Sequence, residues 1–330
     1  MKIFIPFTIK DIGGTATFVE KFSRKILESG SVVTHAFSQD FDILFIVADC
    51  PIRYPIFARL FGKKVVQRLD GVYHRATPAG RLYPLYNLKM QIIHNWLADT
   101  VIYQSEFSKL SCEKFLGKTR AKRTTIIYNG VEIPTIEHRD HSRNDSDQIR
   151  LVTFAKFRRR DQIEPLIESV KLLDPKKYTF DIYGSYTDNL TGTFSHLSSS
   201  PNIRFLGKLP NSELLERISE HDIFLFSDQS ACPNSVLEAL AAGLPVVAFD
   251  RGSINELITS GYNGEVTSIQ KGSSPFRDAY PFGDTEYEAF TTKITKIVRD
   301  YKRYVENTEV DARSRFPLPQ MITKYHEILR

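Results

Sequence analysis

The feature that most constrains this chain is a rhythm that runs twice along it. Short, unbroken apolar runs alternate with segments of helical spacing. In the first half the runs fall at residues 3–6, 43–48, 64–68, 100–103 and 125–128. A strand covered on both faces has no polar side to show, so continuous runs of this length point to parallel strands sandwiched between helices. Between the first two runs, Phe18, Phe22, Ile26 and Leu27 recur at helical spacing until Gly30 stops them. Further helices are expected at 54–61, 88–98 and 108–115. The rhythm lapses over 134–148, a polar, charged stretch that reads as an interdomain linker. It then restarts, with strands expected at 151–155, 178–183, 203–206, 223–226 and 245–249. Helices are expected at 163–173, 212–220, 235–242 and 254–258. A long helix over 286–305 and a closing helix over 318–329 complete the pattern. Two α/β domains follow, which the length of 330 residues also favours.

Charge is mild overall, at +5, but uneven. Residues 1–140 carry 20 Lys/Arg against 13 Asp/Glu, a balance of +7, and the remainder 24 against 26, a balance of −2. A basic N-terminal half fits an acidic partner such as anionic lipid head groups or a phosphorylated acceptor. Lys114, Lys118, Arg120, Lys122 and Arg123 are its densest part, and a solvated loop is the plain alternative. No nucleic-acid partner is expected. Three cysteines without paired spacing argue against a disulfide framework and fit a reducing compartment. The N-terminus opens into a strand rather than a signal peptide. No run of about 18 apolar residues occurs, so the expectation is a cytoplasmic protein, at most peripheral at a membrane.

The most informative segment is 230–248, Ser-Ala-Cys-Pro-Asn-Ser-Val-Leu-Glu-Ala-Leu-Ala-Ala-Gly-Leu-Pro-Val-Val-Ala. It follows a buried strand and opens a helix, with Asn234 or Ser235 expected as the N-cap. Backbone amides at a helix start bind anions, so a diphosphate can sit over Asn234, Ser235 and Val236. Glu238, one turn in, can accept hydrogen bonds from two adjacent hydroxyls, as on a ribose. Gly13 and Gly14, between the first strand and the first helix, permit close approach of backbone to a phosphate or sugar, although an ordinary turn explains them too. No G-x-G-x-x-G follows, which counts against a dinucleotide oxidoreductase. Asp40-Phe-Asp42 imitates a metal-binding Asp-x-Asp but sits just before a buried strand, so no metal site is expected.

These segments, in this order, resemble the family 4 retaining glycosyltransferases of the GT-B fold (glycosyl transferases group 1). The family shows Glu-x7-Glu opening a helix, then Gly-x-Pro and a buried strand; Glu238 and Gly243-Leu-Pro match its second half. Gly13-Gly14, Tyr103-Gln-Ser-Glu-Phe-Ser108, Ile127-Tyr-Asn-Gly-Val131, Asn202-Ile-Arg-Phe-Leu-Gly207 and Phe316…Tyr325 extend the likeness over nearly the whole chain. The resemblance implies α/β architecture with two Rossmann-like domains facing a central cleft. Residues 1–140, joined by a returning helix at 313–330, would receive the acceptor, and 147–312 the nucleotide-sugar donor. It implies that Lys156 and the loop of Arg158, Arg159 and Arg160 grip the diphosphate, with Arg160 one residue from the family's lysine, and that Glu238 holds the ribose. Gly184, Lys208 and Glu256 would line the donor site. Asp70, with His74 as competitor, would meet the acceptor hydroxyl; a turn aspartate and a surface histidine are the plain alternatives. Asp70, Lys156 and Glu238 are the candidate catalytic residues.

Two departures stand out. Ser230 occupies the place of the first glutamate, which in the family contacts the transferred sugar, and Asp161 falls near the place of a lysine. The implied reaction is retaining transfer, without cofactor or metal, from a UDP-sugar in preference to a GDP-sugar. The acceptor would be a glycan, a lipid-linked chain or a polysaccharide. The alternatives are a non-catalytic nucleotide-sugar-binding protein, which Ser230 and Asp161 favour, and a nucleotide-sugar 2-epimerase.

Overall fold

The structure, a computed structural model, describes residues 1–7, 14–74, 77, 79–133, 148–195, 200–270 and 281–330. The chain forms two compact units, Met1–Gly130 with Leu318–Arg330, and Val131–Pro317. Apart from Gln148, the stretch read as a linker lies outside the described residues.

The first unit is built on six parallel strands: β1 (Lys2–Phe4), β2 (Val32–Thr34), β3 (Ile43–Val47), β4 (Lys64–Leu69), β5 (Thr100–Tyr103) and β6 (Arg123–Ile126). Their order is β2-β1-β3-β4-β5-β6. The chain moves one way from β1 to β2 and the other way from β3 to β6. Right-handed crossovers therefore place helix Gly14–Glu28 on one face and helices Arg53–Leu60, Tyr83–Ile92 and Glu106–Leu116 on the other. The closing helix Leu318–Leu329 joins the first face, where the rings of Phe22 and Phe45 stack at 4.8 Å and Tyr325 meets Phe22 at 5.3 Å. Met321, Ile322 and Ile328 of that helix enter the same core. Gly130 makes the return compatible with close packing, because a Cβ there would stand 2.7 Å from the Leu318 Cα. The expected helix at 88–98 starts earlier, at Tyr83, with Pro84 in its first turn, and ends in a π turn, Ile93–Leu97.

The second unit carries β7 (Ile149–Phe157), β8 (Tyr178–Tyr186), β9 (Ile203–Gly207), β10 (Ile223–Phe226), β11 (Val246–Phe249) and β12 (Gly264–Thr267), all parallel, in the order β12-β11-β10-β7-β8-β9. Helices Glu164–Lys171 and Asp284–Arg299 share a core with Phe180, Ile182, Val247 and Phe249. Helix Asn234–Ala241 packs instead on Tyr301–Arg315. The single helix expected at 286–305 is two helices, parted at Asp300, which leaves helical geometry at φ −116° and ψ 31°. β12 escaped the apolar-run criterion because it contains Gly264 and Glu265. That glutamate is fully buried, with Lys293 at 3.1 Å, Lys296 at 2.7 Å and the Tyr304 hydroxyl at 2.6 Å. Burial opposes its ionisation, but these three partners prevail and hold its carboxyl below the ordinary range.

Candidate functional site

In an open parallel sheet, ligands bind beyond the carboxyl ends of the strands where the strand order reverses. In the second unit that point lies between β7 and β10. The loop leaving β7 is shaped by Gln162, whose Oε1 accepts the backbone N–H of Arg158 at 2.7 Å and of Arg159 at 3.0 Å. Ser227, just past β10, donates its hydroxyl to the Gln162 carbonyl at 2.7 Å, so the two loops hold each other.

Charge across this point is carried by Arg159, the middle of the three arginines expected near the diphosphate. Arg159 reaches Asp228 at 2.7 Å, beyond β10, and Asp161 at 3.0 Å in its own loop. Asp161 in turn meets Arg251, beyond β11, at 2.8 Å, and Arg251 also donates to the Ser227 carbonyl at 3.0 Å. Burial alone would raise the Asp161 carboxyl, but Arg159 and Arg251 outweigh it and hold it below the usual carboxylate range. Arg159 is likewise disfavoured by burial, and Asp228 and Asp161 more than restore its charge. Arg160 turns outward and pairs with Glu164 at 2.7 Å. Lys156 and Arg158 are exposed at the end of β7.

The helix over Asn234–Ala241 is capped one residue before the earlier of its two expected caps. Pro233 is the N-cap, in extended geometry, and itself supplies no side-chain cap hydrogen bond. Asn234 and Ser235 are therefore its first two residues, a correction to the sequence expectation. First-turn amides of a helix are donors that an anion can use. Val236 and Glu238 are buried on this helix. Ser230 is fixed through its backbone: the Ser253 amide donates to its carbonyl at 3.0 Å. Gly252, at φ +61°, lies so close that a Cβ would stand 2.4 Å from that oxygen. Asp228, two residues before Ser230, is engaged by Arg159.

Gly184 pairs with Ala155 across β8 and β7 at φ +129°, and a Cβ there would meet the Ala155 carbonyl at 1.8 Å. Lys208 is exposed just past β9. Glu256 lies half-buried in the short helix Ile254–Leu257, its carbonyl receiving Arg315. Most of the expected donor residues thus fall in the second unit, at the ends of β7 and β8, in the loop leaving β7 and on the helices that follow β10 and β11. Lys208 lies two strands away from β7, at the sheet's far side.

In the first unit, Asp70 follows β4 directly. Its carboxylate accepts the Thr15 hydroxyl at 2.8 Å and is ion-paired with Arg68. The Arg68 guanidinium is buried, lies 3.5 Å over the Phe18 ring, and donates to the Tyr325 hydroxyl at 3.0 Å and to Asn129 at 2.8 Å. Asp70 is thereby fastened beside Gly14, the first residue of its helix; Gly13 lies outside the described residues. His74 stacks on Phe115 at 5.7 Å. Asp42 accepts the Lys2 backbone N–H at 2.7 Å. Asp40 is bonded by the Lys2 ammonium and Ser38, which hold it at about 2.

Comparison with known proteins bears on this arrangement. Residues 148–280, which span β7 to β12, match the family model described as Glycosyl transferases group 1. An uncharacterized 41.2 kDa protein in the cps region of Klebsiella pneumoniae is 24% identical over 180 residues, 52% of this chain and 48% of that protein. The amylovoran biosynthesis glycosyltransferase AmsK of Erwinia amylovora is 26% identical over 127 residues, 35% of this chain and 31% of that one. The alignments thus span about half and a third of these curated relatives. The crystal structure of Anabaena HepE with UDP and glucose superposes with a TM-score of 0.72 at 15% identity, covering 100% of this chain and 99% of that one. Two parallel six-stranded α/β units with this likeness establish the GT-B fold.

Proposed function

We propose that this chain is a retaining glycosyltransferase that moves a sugar from a UDP-sugar to a growing polysaccharide or lipid-linked glycan. One observation carries the proposal: at the strand-order reversal of the segment that matches the family, a helix entered from Pro233 presents its start beside a cationic loop, with Glu238 buried one turn in. The diphosphate would lie over the amides of Asn234, Ser235 and Val236. Lys156, Arg158 and Arg159 would meet its charge, with Arg160 in reserve at the rim. Glu238 would accept the ribose hydroxyls. Asp70 would orient the acceptor hydroxyl, whose oxygen bonds to the anomeric carbon as the bond to the diphosphate breaks. The departing phosphate oxygen takes the proton on the same face. Fixed cations around a leaving diphosphate are a large electrostatic contribution in such transfers. UDP is favoured because HepE was crystallised with it. A polysaccharide acceptor is favoured by the cps-region and amylovoran relatives.

Thermal denaturation in the presence of UDP, GDP and UDP-sugars tests the donor site. At a hundred times its Kd, a ligand adds about 2.7 kcal/mol, or roughly 5–11 °C for a unit of this size. UDP should give that shift, and Glu238→Ala should abolish most of it. Transfer of radiolabelled sugar to acceptor then tests the chemistry. No shift with any nucleotide, or an unchanged shift in Glu238→Ala, would sink the assignment; binding without transfer to any acceptor would favour a non-catalytic protein.

A further inference from the structure

We infer that Arg68 is a positioning residue for the acceptor side of the reaction: it holds the Asp70 carboxylate in one orientation, and Tyr325 of the closing helix and Asn129 hold Arg68. The inference rests on the reading of Asp70 as the carboxylate that meets the acceptor hydroxyl. All four residues lie in the first unit.

A guanidinium is a costly occupant for this place. Arg68 is 1% exposed, and it lies against a core that contains Phe18, Phe22, Phe45 and Tyr325. Removing a charge from water is offset only when its donors are well met, and apolar side chains in place of a buried ion pair are often no less stable. Filling space therefore does not account for Arg68. Its geometry does. Nε donates to the Tyr325 hydroxyl at 3.0 Å, Nη2 donates to Asn129 Oδ1 at 2.8 Å, and Nη1 pairs with Asp70. The guanidinium carbon stands 3.5 Å over the Phe18 ring. A planar fork with two nitrogens anchored and one face against a ring cannot turn, so its third nitrogen points in one direction. A lysine ammonium on its flexible stem could not be held in this way.

The carboxylate is fixed at both oxygens. Oδ1 pairs with Arg68, and Oδ2 accepts the Thr15 hydroxyl at 2.8 Å. A carboxylate oxygen can accept two hydrogen bonds, so each keeps a place for a further donor, and Asp70 is 19% exposed. A group that orients a hydroxyl needs this combination of a fixed direction and an open side. The anchors come from segments to which the sequence gave no task. Asn129 belongs to the segment Ile127–Val131, and its amide donates at 3.4 Å to Gln104 of the segment Tyr103–Ser108. Tyr325 is set by Phe18 at 5.6 Å and Phe22 at 5.3 Å. The closing helix is thus part of the support of Asp70 as well as a cover for the sheet.

The test is a cycle of variants with two readouts. One is UDP release from UDP-glucose and UDP-galactose, with water as the acceptor probe. The other is carbodiimide labelling of Asp70, located by mass spectrometry. Tyr325→Phe keeps the ring and removes the hydroxyl that receives Nε, so its fold should persist, and it decides the case if Arg68→Lys does not fold. Both variants should slow UDP release about tenfold. The donor KM and the melting shift given by UDP should be unchanged, and labelling of Asp70 should rise. In the Asp70→Asn background the same substitutions should change the rate by less than about twofold, because nothing is left to position. A role confined to stability would instead lower the rate by the same factor in both backgrounds. That outcome, or release at full rate by both variants, would overturn the inference and leave the acceptor reading standing. Unchanged labelling of Asp70 in both variants would overturn it whatever the rates. Full-rate release by Asp70→Asn alone would overturn the acceptor reading and the inference with it.

Discussion

Replacing Asp161 by Asn tests whether the loop after β7 is a structural tie or a set of solvated charges. The substitution keeps the side-chain shape and removes the charge. It leaves Arg251, whose side chain is 3% exposed, with the Ser227 carbonyl as its remaining oxygen partner, and leaves Arg159 with Asp228. Stripping one partner from a fully buried pair costs about 3–5 kcal/mol, whereas an exposed pair is worth about 0–1 kcal/mol. Asp161 is 15% exposed and Arg159 30%, and asparagine still offers one acceptor oxygen. The expected loss is therefore intermediate, about 2–3 kcal/mol, or a melting temperature lower by roughly 4–12 °C. Arg160→Ala, which breaks the outward pair with Glu164, is the matched control and should change stability by less than about 0.5 kcal/mol.

The pH dependence has a definite sign. The Asp161 carboxyl is lowered in the folded chain, so its contribution is complete above the ordinary carboxylate value of about 3.9 and is lost as pH falls through the lower folded value. The gap between wild type and Asp161→Asn in urea denaturation should stay constant from pH 7 to about 5 and close only in stronger acid. The double variant Asp161→Asn, Arg251→Met should recover part of the loss, because an apolar side chain replaces a stranded charge. A loss no larger than that of Arg160→Ala, or a gap that already narrows between pH 7 and 5, would refute the reasoning.

Three further outcomes follow from the geometry. Gly184→Ala combines a strained φ of +129° with a Cβ 1.8 Å from the Ala155 carbonyl, so it should lower stability by about 2–5 kcal/mol in thermal denaturation. Arg159→Ala should weaken UDP binding at least about tenfold, and Arg160→Ala less than about threefold, by titration calorimetry; equal effects would return the diphosphate role to the sequence-based choice. Asp70→Asn should lower the transfer rate about a hundredfold or more while UDP affinity, measured separately, is unchanged; an undiminished rate would remove Asp70 from the acceptor side.

Much of the fold was legible because burial on both faces leaves a plain trace. β3, β4, β5 and β10 were expected within a residue of their ends, and the closing helix at Leu318–Leu329 agreed at both ends because Leu318, Met321, Ile322, Tyr325, Ile328 and Leu329 repeat at helical spacing. β12 and the break at Asp300 left no such trace. In β12 a buried carboxylate is neutralised by two lysines 28 and 31 residues along the chain, a compensation that periodicity cannot register. The helix start at Asn234 was misread at its cap because cap preference favours Asn and Ser locally, whereas the chain entering from Pro233 is already extended. The Arg159 network was hidden for a related reason: its partners Asp228 and Arg251 stand 69 and 92 positions from Arg159 and 67 and 90 from Asp161, and only the topology brings them together.

That network changes the meaning of the two departures from the family pattern. Read singly, Asp161 is a cation lost and Ser230 a carboxylate lost. In three dimensions they belong to one circuit through the loops after β7, β10 and β11. Arg159 to Asp228 joins the first loop to the second, and Asp161 to Arg251 joins the first to the third. Arg251 to the Ser227 carbonyl and the Ser253 amide to the Ser230 carbonyl join the third to the second. The Ser230 backbone is thus clamped onto the Gly252 turn that follows Arg251. Groups held by several partners are pre-organised, and a site built to stabilise charge needs its groups in place before the ligand arrives. A carboxylate at 161 therefore does work in this chain that a lysine there cannot do, since a cation beside Arg159 and Arg251 would repel both and open the circuit.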